Sequence, residues 1–277
     1  MRRHAVREAM PAAQTERRAC RFTGFARSSQ RYRPTRDDRA LRARLETLAV
    51  GKPRWGYRRL HWLLVREGWV VNRKRVQRVY RAAGLEVRRR TRKQVARARL
   101  PRPNLQGPCQ RWSMDFMHDT LGDGRAIRLF TVVDHFTRAC PLIAVDVALP
   151  AARVLARLDQ LAVTTPLPPA LVCDNGAEFT SQAFDQWAHQ RGIALHFIRP
   201  GKPVENAYVE SFNGKLRDEC LNESWFVNLA DAQRTIEAWR IAYNTARPHT
   251  SLGGRTPEEF AEDLMRGQLV TSHDRYE

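Results

Sequence analysis

Apolar residues recur along the chain in two rhythms, and the changeover falls near residue 110. Before it, apolar positions return every three and four residues, the spacing of one helix face. Leu41, Leu45 and Leu48 mark one helix, with the Asp37–Asp38 pair suited to its N-terminus. Leu60, Leu63 and Leu64 mark a second in WGYRRLHWLLVREG, stopped by Gly68. Asn72 is a suitable N-cap for a third, RKRVQRVYRAAG, whose Val76, Val79, Tyr80 and Ala83 turn inward. Residues 14–33 look like a smaller copy of this arrangement. Trp55, Trp62 and Trp69 read as packing residues rather than platforms for bases.

From Arg111 the period changes to two. RWSMDFMHD alternates as a strand, with Trp112, Met114 and Phe116 on one side and Asp115 on the other. AIRLFTVVDHFTR and ACPLIAVDVAL predict two more strands of an antiparallel meander. A helix in ARVLARLDQLAVT, a short strand ending at Asp174, a helix in SQAFDQWAHQRG and a strand in IALHFIRP follow. The next helix, with Pro203 in its first turn, carries Tyr208, Phe212 and Leu216 as an apolar stripe. Its second stripe is polar: Asn206, Glu210, Asn213 and Arg217. NLADAQRTIEAWRIAYN is a last amphipathic helix, capped by Asn228. This order predicts an α/β fold, a mixed sheet with helices packed on it, behind an all-α region.

At 277 residues and 43% hydrophobic content, the chain is long enough for two domains and a sizeable core. No apolar run approaches the ~20 residues that span a bilayer, and MRRHAVREAMPAAQ lacks the hydrophobic stretch of a secretory signal. Cys20, Cys109, Cys140, Cys173 and Cys220 have no zinc spacing and read as reduced thiols of a cytoplasmic protein.

Charge divides the chain where the periodicity does. Residues 1–110 hold 31 Lys and Arg against 7 Asp and Glu, and the rest holds 17 against 22, so +24 precedes −5. That asymmetry points to a polyanion, with nucleic acid favoured over a ribosome or membrane surface. Two short helices joined by a tight turn, the second studded with basic groups, make a helix-turn-helix layout. Arg73, Lys74, Arg75, Gln77, Arg78 and Arg81 point outward with no acidic partner in view, which favours DNA contact over a solvated charged helix with no ligand. Eight basic residues between 88 and 102, with Pro101 and Pro103, read as a linker along a phosphate backbone.

Three carboxylates stand out in the acidic half. Asp115 lies mid-strand, Asp174 ends a strand at the edge where open α/β sheets place ligands, and Glu210 is on the helix stripe beside Asn206. Converging acids become tolerable when divalent cations neutralise them, and hard oxygen donors suit Mg²⁺ or Mn²⁺. Taken singly, Asp174 reads equally as a turn former, Asp115 as a strand-end cap and Glu210 as a solvated residue. Asp119, Asp123, Asp134 and His118 read as structural, and His249 as packing or DNA contact.

The stretches WSMDF, CDNGAEFTSQAF, HFIRPGKPVENAYVESFNGKLRDECL and YNTARPHTSLG carry a resemblance across nearly the whole chain. It resembles the OrfB-type transposases of insertion-sequence family number three, in the DDE transposase and retroviral-integrase superfamily. The spacing agrees: 35 residues separate Asp174 from Glu210, and Arg217 lies seven past the glutamate. The resemblance implies a ribonuclease-H-like catalytic domain with Asp115, Asp174 and Glu210 as its metal-binding, catalytic acids. It implies two Mg²⁺ or Mn²⁺ ions per site, DNA cleavage to a 3′-hydroxyl, and strand transfer. Gly201, Lys202 and Pro203 would form a loop at the mouth of the site, and Lys202, Asn206, Asn213, Lys215 and Arg217 would hold DNA phosphates.

The implied domains are a helix-turn-helix-like segment (1–35), a helix-turn-helix domain (36–87), a linker (88–108), an integrase catalytic core (109–265) and a tail (266–277). Implied partners are double-stranded DNA at element ends and target, further copies of the chain, and an upstream-frame helix-turn-helix protein, separate or fused by frameshifting. The start at MRRHAVREAM is expected to mark the downstream product alone, in the cytoplasm at the nucleoid and not at a membrane. The chain departs from the family pattern at Cys173, Ala177, Glu205, Asp134–His135 and Gly254–Arg255, none of them an expected metal ligand. Two readings compete: a catalytically decayed DNA-binding repressor, and a ribonuclease-H-type nuclease. The three intact acids count against the first, and the helix-turn-helix with its basic linker against the second.

Overall fold

The computed structural model describes residues 2–31, 37–87, 104–199 and 206–267, which leaves most of the basic linker, the loop containing Lys202, and most of the tail outside the described residues. Three helices come first: α1 (Arg2–Ala13), α2 (Glu16–Phe22) and α3 (Arg27–Arg31). Val6, Ala13, Ala19 and Cys20 make their small core. Within the expected smaller copy of the arrangement, α2 and α3 are two short helices, and α3 has five residues and buries none of them.

The next three helices, α4 (Arg39–Gly51), α5 (Tyr57–Arg66) and α6 (Arg73–Ala82), close around Leu41, Leu45, Leu60, Leu64, Val76 and Tyr80. Gly68, with φ of 85°, turns the chain between α5 and α6. Asn72 then caps α6, its side chain accepting from the Lys74 amide at 2.8 Å. Asn72→Ala should cost about 1 kcal/mol, read as an earlier chemical-denaturation midpoint for this domain.

The basic face of α6 departs from expectation. Arg75 and Arg78 both reach Asp38, at 2.8 and 2.7 Å, and Arg81 pairs with Glu86 at 3.1 Å. Asp38 does not cap α4 through its side chain. It ties the start of α4 to α6 instead, a pairing across 37 residues that no helical spacing reveals. Arg73 and Lys74 remain exposed at the N-terminal end of α6.

The rest builds a five-stranded sheet from β1 (Trp112–Thr120), β2 (Ala126–Asp134), β3 (Leu142–Asp146), β4 (Ala170–Cys173) and β5 (Ala194–Phe197). The spatial order is β3-β2-β1-β4-β5, with the first three antiparallel and β4 and β5 parallel to β1. Helices α7 (Ala151–Ala162) and α8 (Gln182–Gln190) cover one face, over Trp112, Met114, Phe130 and Leu171. The other face, with Leu129, Val133 and Ile143, lies under α9 (Ala207–Glu219) and α10 (Leu229–Thr245). Because β2 is covered on both sides, it reads as a nearly continuous apolar run. The last helix, α11 (Pro257–Met265), starts with a capping box from Thr256 and Glu259. Among the described residues no helix is long and apolar enough to cross a membrane, and all five cysteines are unpaired.

Candidate active site

β1 is the central strand, and alternation sends Asp115 to the face beneath α9 while Met114 and Phe116 go to the other. Asp115 accepts from the Phe116 amide at 2.8 Å and from Asn213 Nδ2 of α9 at 2.8 Å. Asn213 is fixed in turn by Thr131, which sits opposite Asp115 in the register and donates to Asn213 Oδ1 at 2.9 Å. Burial pushes the Asp115 pKa up to about 6, the nearby charges of Asp174 and Glu210 add to it, and the Phe116 and Asn213 bonds oppose it.

Asp174 follows β4, where its Oδ1 accepts from the Gly176 amide at 3.0 Å. Two further contacts hold this loop. Asn175 donates to the Ile198 carbonyl past β5 at 2.9 Å. Glu178 pairs with Arg128 of β2 at 2.6 Å, and that guanidinium lies 4.4 Å over the Phe116 ring, next to Asp115. Cys173 is chemically quiet: burial, with Asp174 beside it, pushes its thiol up to about 12. Glu210 stands in the first turn of α9, exposed, with its pKa raised by partial desolvation.

Asp115 thus lies within the electrostatic reach of both Asp174 and Glu210. Among the described residues no three His, Cys, Asp or Glu side chains converge to ligating distances. The donor set nonetheless suits a divalent cation. It offers three hard oxygen donors, one of them in a half-buried place where burial and two like charges oppose ionisation. A cation would remove both penalties together.

Several residues expected at DNA phosphates are engaged elsewhere. Asn206 is 3% exposed and donates to the Met114 carbonyl at 3.2 Å, so it ties the start of α9 to β1. Asn213 shares the buried face with Val209, Phe212 and Leu216, with both ends of its amide bonded within the protein. Arg217 donates to the His118 carbonyl at 2.7 Å. Lys215 is half-buried and bonds Ser211 at 3.0 Å, its pKa lowered to about 8 by burial and by Arg247 and Arg59. The expected polar stripe turns inward at Asn213, because a buried amide is stable when its partners, here Asp115 and Thr131, wait on the sheet.

Asp134 is 2% exposed and takes bonds from the amides of Cys109, Phe136 and Thr137, the Thr137 hydroxyl and the Trp112 indole. Asp119 and Asp123 bond neighbouring amides, and His249 packs edge-on against Tyr243 at 4.7 Å. Sequence reasoning missed the Arg128–Glu178 pair and buried His135, which bonds Ser113 and stacks on Tyr208 at 4.1 Å. His135 had left one signal, its departure from the aspartate common at that position.

Asn213→Ala should weaken Mn²⁺ binding about 10- to 100-fold, since Asp115 loses the donor that orients and favours its charged form. Isothermal titration would measure it; unchanged affinity would detach Asn213 from the site.

Known families match the chain in three places: two described as integrase core domain, at residues 106–203 and 191–257, and one described as HTH-like domain, at 35–93. An insertion element IS407 protein of 31.7 kDa from Burkholderia multivorans is 47% identical over 262 residues, covering 93% of each chain. The putative transposase InsK of insertion sequence element IS150, from Escherichia coli, is 27% identical over 219 residues, 75% of this chain and 77% of that one. A chain of the simian T-cell lymphotropic virus intasome structure superposes with a TM-score of 0.50 at 17% identity, covering 69% of this chain and 67% of that one. That last likeness speaks to the fold alone.

Proposed function

The chain belongs to the transposases of insertion-sequence family number three, with an integrase core and an HTH-like domain, and from this membership we propose how it acts on DNA. It binds the ends of its element, cuts DNA to expose 3′-hydroxyls, and joins those ends to new DNA. Asp115, Asp174 and Glu210 are its catalytic acids. The observation that carries this reading is Asp115 on the central strand, held by Asn213 and burdened by the charges of Asp174 and Glu210.

Two Mg²⁺ or Mn²⁺ ions bound by these carboxylates would supply charge neutralisation at the scissile phosphate and an activated oxygen nucleophile. Phosphoryl transfer leaves the protein mostly alignment to perform. Asp115 is aimed by Asn213 and the Phe116 amide, and the Asp174 loop is braced by Glu178 on Arg128. Glu210 enters from α9, whose buried face locks it to the sheet. Exposed Arg73 and Lys74 at the start of α6 take DNA phosphates. Joining two ends calls for at least two copies of the chain on double-stranded DNA.

The test uses labelled duplexes carrying the DNA that flanks this gene on each side. Purified protein is incubated with them in Mg²⁺ or Mn²⁺, and nicks are mapped on both strands. Metal-dependent nicks at matching 3′ ends are expected. Tight binding without nicks, even with the upstream-frame product added, would sink the proposal in favour of a decayed repressor.

A further inference from the structure

Helix α9 carries a second acid with a different occupation. Glu219 closes the helix nine residues after Glu210, roughly 13 Å along the axis. Its side chain is 8% exposed. Arg247 donates to both of its oxygens, at 2.7 and 2.6 Å. The other two donors come from the helix-turn-helix: Arg59 of α5 at 2.9 Å and the Trp55 indole at 3.2 Å.

Further contacts surround this centre. Arg54 meets Glu223 at 2.7 Å, and Arg66 meets Glu259 at 2.6 Å and the Gly254 carbonyl at 3.3 Å. Trp62 lies so close over Gly254 that a Cβ there would come within 2.4 Å of the indole, and Gly254 has φ of 91°. Arg59, Trp62 and Arg66 are spaced three and four apart, so one face of α5 rests on the catalytic domain. The opposite face, with Leu60 and Leu64, packs toward α6. The basic start of α6 stays exposed.

We propose that the Arg59–Glu219 contact is a clamp that fixes the register between the DNA held by α6 and the catalytic acids, and so selects which phosphodiester is cut. This rests on the transposase reading above. The covalent connection through residues 88–103 sets only an upper bound on the separation, on the order of 50 Å fully extended. The clamp narrows it, because α9 is one rigid element bearing both Glu210 and Glu219, and a buried, multiply bonded carboxylate accepts arginines only in defined directions. Arg59 and Glu219 are therefore positioning residues.

Arg59→Gln, Arg59→Lys and Glu219→Gln in the full chain provide the test, with two measurements. Small-angle X-ray scattering of the protein alone should show a larger maximum dimension for both Gln variants than for the wild type or Arg59→Lys. On the flanking-DNA duplexes, nicks should spread from one phosphodiester to several neighbours, falling about tenfold or more at the original one. Binding affinity should stay within about twofold, and Arg59→Lys should restore the single position. A merely structural role would lower the yield without moving the nicks. If Glu219→Gln fails to fold, Arg59→Gln decides, since it leaves the Arg247–Glu219 pair intact. Unchanged scattering, or nicks at an unmoved position, would overturn the proposal. A wild type that never nicks would instead defeat the transposase reading, while scattering still judges the clamp.

Discussion

Glu210→Gln should reduce metal-dependent nicking of the flanking DNA by about 10³-fold or more, with DNA binding and stability retained. The amide keeps the shape of the side chain and removes only its charge. Glu210 is exposed on α9, so the fold asks little of it, and the change in stability should stay within about 0.5 kcal/mol. Its charge is also one of two that burden Asp115 in the metal-free protein. Removing it relieves that repulsion, so loss of activity cannot be ascribed to unfolding. Parallel nick mapping, DNA titration and thermal denaturation would check all three statements. Nicks that survive in the variant would take Glu210 out of the catalytic set.

Asp134→Ala should cost about 3–5 kcal/mol of stability, the largest effect expected outside the candidate site. The buried carboxylate gathers five donors, among them the Trp112 indole. Truncation strands these donors away from water, and each stranded group costs more than its bond contributed. Asp134 also lies opposite Trp112 in the register, three residues before Asp115, so the loosened corner adjoins the site. Urea denaturation of the variant reads the loss, and Asp134→Asn, which keeps an acceptor, should lose clearly less. A loss under about 1 kcal/mol would mean that water replaces the carboxylate, contrary to its burial.

Much of the architecture was legible because its determinants are local. Period-two alternation around Asp115, the run of β2 and the Leu and Val spacings of α4, α5 and α6 each lie within one element. Local rules likewise found Asn72 and Asn228 as caps, each seen accepting a backbone amide. The three candidate acids stood out by residue type and position, and the sheet sets Asp115 on β1 beside β4, the strand that Asp174 follows.

What the sequence determined by itself, then, was the order and kind of elements, the division of charge, and the identity of the candidate acids. These depend on neighbours a few residues apart. Tertiary structure alone decided which polar groups those elements would satisfy when packed. Asn213 turned inward to Asp115 across 98 residues, Asp38 took Arg75 across 37, and Glu219 took Arg59 across 160. In each case a polar group found its partner on another element, and where the group is buried, as at Asn213 and Glu219, desolvation leaves it no stable unpaired alternative. Such a constraint acts through space, so no periodicity along the chain records it.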